Sequence, residues 1–123
     1  MTIKRFEEIE CWKLARELTR MGYTLAKGAE FSRDFALRDQ ITRAAGSSMH
    51  NIAEGFDAGT NPEFIRFLRF SKRSATEVQS QLYVALDQEY ITPSQFDDAY
   101  EQARLVRAKA GAFIHYLSAN RKP

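Results

Sequence analysis

The segment between residues 40 and 54 carries ionisable and hydrogen-bonding side chains at helical spacing. At 100° per residue they fall within about 100° of arc. We call them the polar stripe, which consists of Gln40, Arg43, Ser47, His50, Asn51 and Glu54. His50 and Glu54 are one turn apart, as metal ligands are in carboxylate–histidine sites of helix bundles. Such sites draw on several helices, whereas this chain has two His and no Glu-x-x-His motif, so we assign no metal ligand and no cofactor.

The residue types of the polar stripe favour a structural role instead. Buried ionic and amide side chains form hydrogen-bonded networks that fix the alignment of neighbouring helices. Such a network predicts that Arg43 pairs with Glu54 or with Glu77 of the next helix. A stripe facing a channel in an oligomer would have the same pattern, so the sequence leaves both arrangements open.

A second group of charged residues could bind phosphate. We call it the basic cluster; it consists of Arg66, Arg69, Lys72 and Arg73. On a helix these residues lie opposite the apolar face of the same segment. The interleaved Phe67 and Phe70 make the segment similar to a nucleic-acid-binding patch, although Phe67 is predicted to point into the core. A solvated cationic face is the simpler interpretation, and Asp87 lies too far along the helix to neutralise the cluster.

Nucleophilic catalysis has no support in the sequence. Cys11 falls on a predicted core face with no His near it in sequence, which is typical of a small buried hydrophobic residue. The sequence contains no Gly-rich phosphate loop, nucleophile elbow or paired-carboxylate motif. We therefore predict a protein that is not an enzyme and has no catalytic residues.

Four helices are predicted to position these side chains, because the Pro and most Gly residues fall between long periodic segments. The expected ranges are 7–27, 32–54, 62–89 and 93–119. We expect Ser32 and Asn61 to act as N-caps of the second and third helices, and a capping box at Thr92–Gln95 to begin the fourth. Short connections then favour a single all-α domain over residues 1–123, an antiparallel up-down-up-down four-helix bundle.

Composition sets the broad class of the protein. The 123 residues are 44% hydrophobic and 28% charged, which is typical of a globular domain. The net charge is +2, so nucleic-acid binding would depend on a local patch. One Cys excludes an internal disulfide framework, and no apolar run reaches the roughly 18 residues of a membrane helix. The first residues turn acidic where a signal peptide would turn apolar, so we expect a cytoplasmic protein without a membrane partner.

Several large apolar side chains lie off the faces assigned to the bundle core. They are Ile9, Trp12, Tyr23, Phe70 and Val84. Together they predict a second buried surface, and self-association is the most economical explanation. Inside the second helix, Gly46 costs up to about 1 kcal/mol relative to Ala, which predicts the close approach of a neighbouring backbone there.

Two segments of the second helix resemble a known signature. Arg43-Ala44-Ala45-Gly46-Ser47-Ser48 and Asn51-Ile52-Ala53-Glu54-Gly55 resemble the RAA-x-S and NIAEG motifs of the 23S rRNA intervening-sequence protein family. The similarity extends over nearly the whole chain. It includes Trp12, Leu18 and Tyr23 in the first helix, and Glu63-Phe64, Phe67-Leu68, Ser74 and Glu77 in the third. The family often has Gly before the Ser of the third helix, where this chain has Arg73, and that difference enlarges the basic cluster.

The resemblance implies an antiparallel four-helix bundle that assembles into homopentamers, with no catalytic residues. The chain is similar also to the accessory variability protein of diversity-generating retroelements, a pentameric barrel that binds nucleic acid and a reverse transcriptase. The family name records that some members are encoded inside insertions in ribosomal RNA genes, which describes gene location and not a ribosomal role.

Two functions of different classes follow. The leading hypothesis is a non-enzymatic homo-oligomer, a pentamer, that binds RNA or DNA through the basic cluster. The alternative is a structural scaffold, or a scaffold for a partner protein, with no nucleic-acid role.

Overall fold

The computed structural model describes residues 3–120 of the predicted domain. Residues 1, 2 and 121–123 lie outside that range. Its four long helices are α1 (Glu10–Ala26), α2 (Phe35–Asp57), α3 (Asn61–Asp87) and α4 (Pro93–Ala119). Two short 3-10 turns, Phe6–Glu8 and Phe31–Arg33, precede α1 and α2. The part of the chain described contains no strand, so the predicted all-α class is confirmed.

Pairs of residues in contact show that neighbouring helices run antiparallel. Between α2 and α3, the Ser71 hydroxyl donates to the Ser48 carbonyl, and the Ser74 hydroxyl donates to the Ser47 hydroxyl. A later residue of α3 thus meets an earlier residue of α2. The contacts of α4 with α3 and with α1 follow the same rule, so the predicted up-down-up-down bundle is confirmed, with each helix packed on the two that flank it.

Side-chain caps fix where the helices begin. Asp34, not Ser32, is the N-cap of α2, and its Oδ1 accepts a hydrogen bond from the Leu37 backbone at 3.1 Å. The prediction of Ser32 is wrong because the fully buried Phe31 holds that segment in a separate 3-10 turn. Thr60 caps α3, one residue before the predicted Asn61. The predicted capping box of Thr92 and Gln95 is confirmed at the start of α4.

The N-terminal segment adds two residues to the core that the sequence placed outside it. Ile9 and Trp12 are 3% and 8% exposed and belong to the core of a single chain, so the expectation that they lie off it is wrong. The physical reason is that α1 begins only at Glu10, and the preceding 3-10 turn places Phe6 against Trp12 with ring centroids 5.1 Å apart. This burial removes the argument that assigned both residues to an oligomer interface.

Close backbone approach occurs at Gly55 instead of Gly46. A Cβ atom at Gly55 would lie 2.8 Å from Phe64 Cδ1 and from Phe67 Cβ, which leaves no space for a side chain. A Cβ at Gly46 would meet only the ring of His50 on its own helix, at 3.6 Å or more. Gly46 is buried, but no atom of a neighbouring helix would lie within 4 Å of that Cβ, so the prediction of close packing there is wrong.

Candidate nucleic-acid interface

The N-terminal half of α3 presents the basic cluster, but helical geometry divides it between two directions. Arg66, Arg69 and Arg73 are exposed, whereas Lys72 is half-buried. Arg66 and Arg73 belong to the row of residues that passes through Phe70. Lys72 is rotated from that row towards α4, where its Nζ lies 3.5 Å from the position that a Cβ at Gly111 would occupy. The basic cluster is therefore divided between two surfaces of α3, with Lys72 on the side that faces α4.

Phe70 lies between two guanidinium groups. The Arg66 and Arg73 guanidinium carbons lie 5.3 and 5.0 Å from the centroid of its ring, and Arg66 also lies 4.9 Å from the ring of Phe67. These cation–π contacts are worth about 0.5–1 kcal/mol each at exposed positions, and they hold the guanidinium planes against apolar surface. Phe70 itself is half-buried, so it supports the two arginines as well as the packing of α3.

One carboxylate reduces the charge of the cluster. Arg66 Nε donates to Glu63 Oε2 at 2.8 Å across an exposed i,i+3 pair. The sequence analysis weighed Asp87 and overlooked Glu63, although the three-residue spacing on a helix was available as a signal. An exposed pair of this kind is worth at most about 1 kcal/mol, so a phosphate can compete for Arg66. Within residues 3–120 neither Arg69 nor Arg73 has a carboxylate within 4.0 Å.

A further cation, which the sequence analysis did not identify, faces α3 from α4. The half-buried Arg107 donates from Nη1 to Gln79 Oε1 at 3.2 Å. Its Nε atom is buried and has no hydrogen-bond partner in the described chain. Arg107 follows the fully buried Val106 at the edge of the apolar face of α4, and that edge position was the available signal. An unpartnered buried donor is costly, and the bond from Nη1 to Gln79 holds this guanidinium at the contact between α3 and α4.

The polar stripe is only partly assembled into a network. Asn51 Nδ2 donates to the Ser47 carbonyl and hydroxyl at 2.8 and 2.9 Å, and the Ser74 hydroxyl of α3 donates to the same Ser47 hydroxyl at 2.9 Å. Arg43, His50 and Glu54 are exposed. The hydrogen-bonded part of the stripe is thus uncharged and joins α2 to α3.

The predicted pairing of Arg43 with Glu54 or Glu77 is wrong. No ion pair involving Arg43 occurs within residues 3–120. Arg43 and Glu54 are eleven residues apart on one helix, which is about 16 Å along its axis and beyond the reach of the two side chains. Arg43 and Glu77 line the same open cavity of about 220 Å³ without pairing; its other lining residues are Gln40, Ala44, Ser47 and Gln81.

Exposed apolar side chains are present, but the set differs from the predicted one. Tyr23 and Val84 are 52% and 45% exposed, whereas Phe70 is half-buried within the chain. Phe35, at the start of α2, is the most exposed large hydrophobic residue at 64%. Because neighbouring helices are antiparallel, the end of α1, the start of α2 and the end of α3 meet at one end of the bundle. Tyr23, Phe35 and Val84 therefore lie towards the end opposite the basic cluster.

Other chemistry has little support in the side-chain arrangement. Cys11 is buried, and this burial raises the pKa of its thiol to about 12, so little nucleophilic thiolate forms near neutral pH. Among residues 3–120 no three His, Cys, Asp or Glu side chains converge in a way that could hold a metal ion. No helix in the same range is sufficiently long and apolar to cross a membrane.

Comparison with known proteins supports the motif-based resemblance. A family model described as 23S rRNA-intervening sequence protein matches residues 7–112. The chain belongs to this family. The match includes the RAAGSS and NIAEG segments of α2 and all of α3, so the predicted family is confirmed.

A solved structure of similar fold comes from Bacteroides thetaiotaomicron. It is the crystal structure of a protein with unknown function from the S23 ribosomal protein family. The two chains superpose with a TM-score of 0.77 at 22% identity, over 85% of this chain and 97% of that one. Identity at this level shows a shared fold. A search of curated proteins gave no match.

Proposed function

We propose that this member of the 23S rRNA-intervening sequence protein family is a non-enzymatic homo-oligomer that binds RNA or DNA through the basic cluster of α3. The exposure of Arg69 and Arg73, neither with a carboxylate partner in residues 3–120, carries the proposal. Exposed unpaired cations are the groups that neutralise phosphates and release counterions. Cation–π contacts on Phe70 hold Arg73 and Arg66 close to the helix surface, which reduces the entropy lost when they bind.

Assembly would multiply this local charge. The net charge of one chain is only +2, which gives weak long-range attraction to nucleic acid. One of the four cations in the basic cluster is paired with Glu63, so three unpaired cations remain in each protomer. A pentamer would therefore carry about fifteen of them. The predicted pentamer has a mass of about 70 kDa, five times the 14.1 kDa chain. A ring of this kind could contact one nucleic acid at several points at once.

Exposed apolar surface supports self-association. Tyr23, Phe35 and Val84 are large apolar side chains exposed towards one end of the bundle, and an interface between copies would cover them. Light scattering of the wild-type protein at tens of micromolar tests the pentamer. Val84→Asp should shift the protein towards smaller species because a carboxylate resists burial, whereas Ala108→Asp on the exposed side of α4 should not. A wild-type monomer at these concentrations would refute the assembly.

A charge-matched substitution tests nucleic-acid binding. Replacing Arg66, Arg69 and Arg73 by Gln should abolish retention of RNA and DNA while leaving the oligomer intact. The control replaces the exposed Lys13, Arg16 and Arg20 of α1 by Gln, which removes the same charge from another surface. For the wild type, log affinity should fall against log salt with a slope of roughly 0.7–0.9 per phosphate contacted.

The scaffold is the alternative that the exposed apolar end of the bundle favours. A protein that serves only to assemble, or to hold a partner protein, needs the surface of Tyr23 and Phe35 and has no use for unpaired arginines. If the wild type retained no nucleic acid at about 50 mM salt, where phosphate contacts are strong, the scaffold would replace the nucleic-acid proposal.

A further inference from the structure

The surface where α3 meets α4 carries cations and tyrosines joined by a chain of contacts. We call it the α3/α4 groove; its residues are Lys72, Gln79, Tyr83, Tyr100, Arg107 and Gly111. Lys72 packs on Gly111, and Arg107 lies one turn before Gly111 on α4. Arg107 donates to Gln79. The groove therefore has a basic half, in which two half-buried cations flank the backbone of Gly111.

The other half of the groove is aromatic. The Gln79 amide lies 3.5 Å from the Tyr100 carbonyl, and the rings of Tyr100 and Tyr83 have centroids 5.9 Å apart in an edge-to-face arrangement. Both rings rest on Phe96, at 4.9 Å from Tyr83 and 5.4 Å from Tyr100. Tyr83 is 50% exposed, so part of its ring is supported from below and open to solvent above.

We propose that the α3/α4 groove binds single-stranded nucleic acid, with Lys72 and Arg107 on successive phosphates and Tyr83 stacked on a base. This inference rests on the proposed function and names its ligand more closely. Lys72 and Tyr83 are eleven residues apart on α3, which is about 16 Å along its axis, so a strand of a few nucleotides can contact both. Aromatic rings beside a cationic track are the arrangement that binds unpaired strands, because paired bases have no free face to stack.

The charge of the groove differs between its basic half and its aromatic half. Around Lys72 and Arg107 no carboxylate pairs with either cation within residues 3–120, and the nearby Glu101 is held by Arg104 in two hydrogen bonds of 2.7 Å. Beyond the tyrosines, Asp87 and Asp97 are exposed on the two helices. Phosphates are therefore favoured at the basic half and a base at the aromatic half.

The groove also remains accessible in the proposed assembly. Phe70 and Val84 lie on the α3 row that passes through Arg66 and Arg73, whereas Lys72, Gln79 and Tyr83 lie on the row that contacts α4. Val84 lies near the C-terminal end of α3 and Arg66 and Arg73 lie in its N-terminal half, so an oligomer that buries Val84 can leave both the basic cluster and the α4 side of α3 free.

Fluorescence anisotropy with labelled single-stranded RNA, single-stranded DNA and a duplex of the same sequence tests the inference. Tyr83→Ala should weaken binding of both single strands roughly five- to a hundredfold, from about 1–3 kcal/mol of stacking per base, and leave duplex binding and the salt slope unchanged. Tyr83→Phe should bind as the wild type does. Tyr116→Ala, at an exposed tyrosine of α4 outside the groove, is the matched control. Arg107→Gln should lower the salt slope by about one phosphate contact.

The outcomes separate the two proposals. If the wild type binds, loses binding on substitution of Arg66, Arg69 and Arg73, and is unaffected by Tyr83→Ala, the basic cluster stands and the groove is overturned. Equal affinity for single strands and duplex also overturns the groove. A wild type that binds neither overturns both. Loss of binding by Tyr83→Ala with a normal circular dichroism spectrum and normal duplex binding supports the groove, since a folding defect would reduce both.

Discussion

Helix α3 packs against its two neighbours in chemically different ways. Towards α2 it presents the buried Ser71 and Ser74, whose hydroxyls bond directly to α2, and Gly55 allows Phe64 to touch the α2 backbone. Towards α4 it presents Lys72 and Gln79, long side chains that leave the Arg107 Nε atom without a partner.

The two sides of α3 are therefore expected to respond differently to substitution. Short hydroxyl side chains satisfy their hydrogen bonds within the fold, so the α2/α3 interface is closed at Ser48, Ser71 and Ser74. Only at its edge does the cavity beside Arg43 and Glu77 stay open. Towards α4, the half-buried Lys72 and Arg107 have no carboxylate partner within residues 3–120, so their charges remain available. We therefore expect substitutions at the first interface to affect stability, and substitutions at the second to affect binding.

The largest expected effect on stability is at a pair of glycines, one in each interface. Gly55→Ala should destabilise the fold by about 1–3 kcal/mol, because the added Cβ would lie 2.8 Å from two phenylalanines. Gly111→Ala should be neutral or stabilise by up to about 1 kcal/mol, since its Cβ would meet only the mobile end of Lys72 at 3.5 Å. Urea unfolding measures both. If Gly55→Ala and Gly111→Ala lowered the unfolding free energy equally, α2/α3 would not be the more tightly packed of the two interfaces.

A smaller effect is expected where α2 and α3 share a hydrogen bond. Ser71→Ala removes the buried hydroxyl that donates to the Ser48 carbonyl at 2.6 Å, and should cost about 1 kcal/mol of unfolding free energy. Ser80→Ala, at an exposed position of the same helix, controls for the difference in helix propensity and should not destabilise the fold. Thermal unfolding compares the two variants. A Ser71 variant as stable as the Ser80 variant would mean that the serine contacts do not hold the interface.

The smallest effect on stability is expected at Arg107. Arg107→Met loses the hydrogen bond to Gln79 and also removes an orphan buried donor, so the unfolding free energy should change by less than about 1 kcal/mol. Affinity for a single-stranded oligonucleotide should fall in the same variant. If Arg107→Met lowered the unfolding free energy by several kcal/mol and kept the affinity for the oligonucleotide, Arg107 would be a structural residue and not a binding residue.

Local signals in the sequence were sufficient to predict the arrangement of four helices. The Thr92–Gln95 capping box and the Pro62 and Pro93 positions mark helix starts by chemistry that acts within four residues. The apolar periodicity of α3 specified which side faces the core, and Phe64 and Leu68 are buried as that pattern requires. The RAAGSS and NIAEG segments indicated the family because they are contiguous within α2.

Tertiary structure alone decided which charged and apolar side chains are available for function. Trp12 was assigned to the outside because a helical wheel cannot include Phe6, which reaches it from a separate turn. Lys72 was grouped with three exposed arginines by sequence proximity, yet it faces Arg107 and Gly111 from a helix beginning twenty-one residues later. Caps and periodicity depend on neighbours within one or two turns, which the sequence states directly. The side chains that share a surface between two helices depend on which faces of those helices meet, and that is settled only when the core is packed.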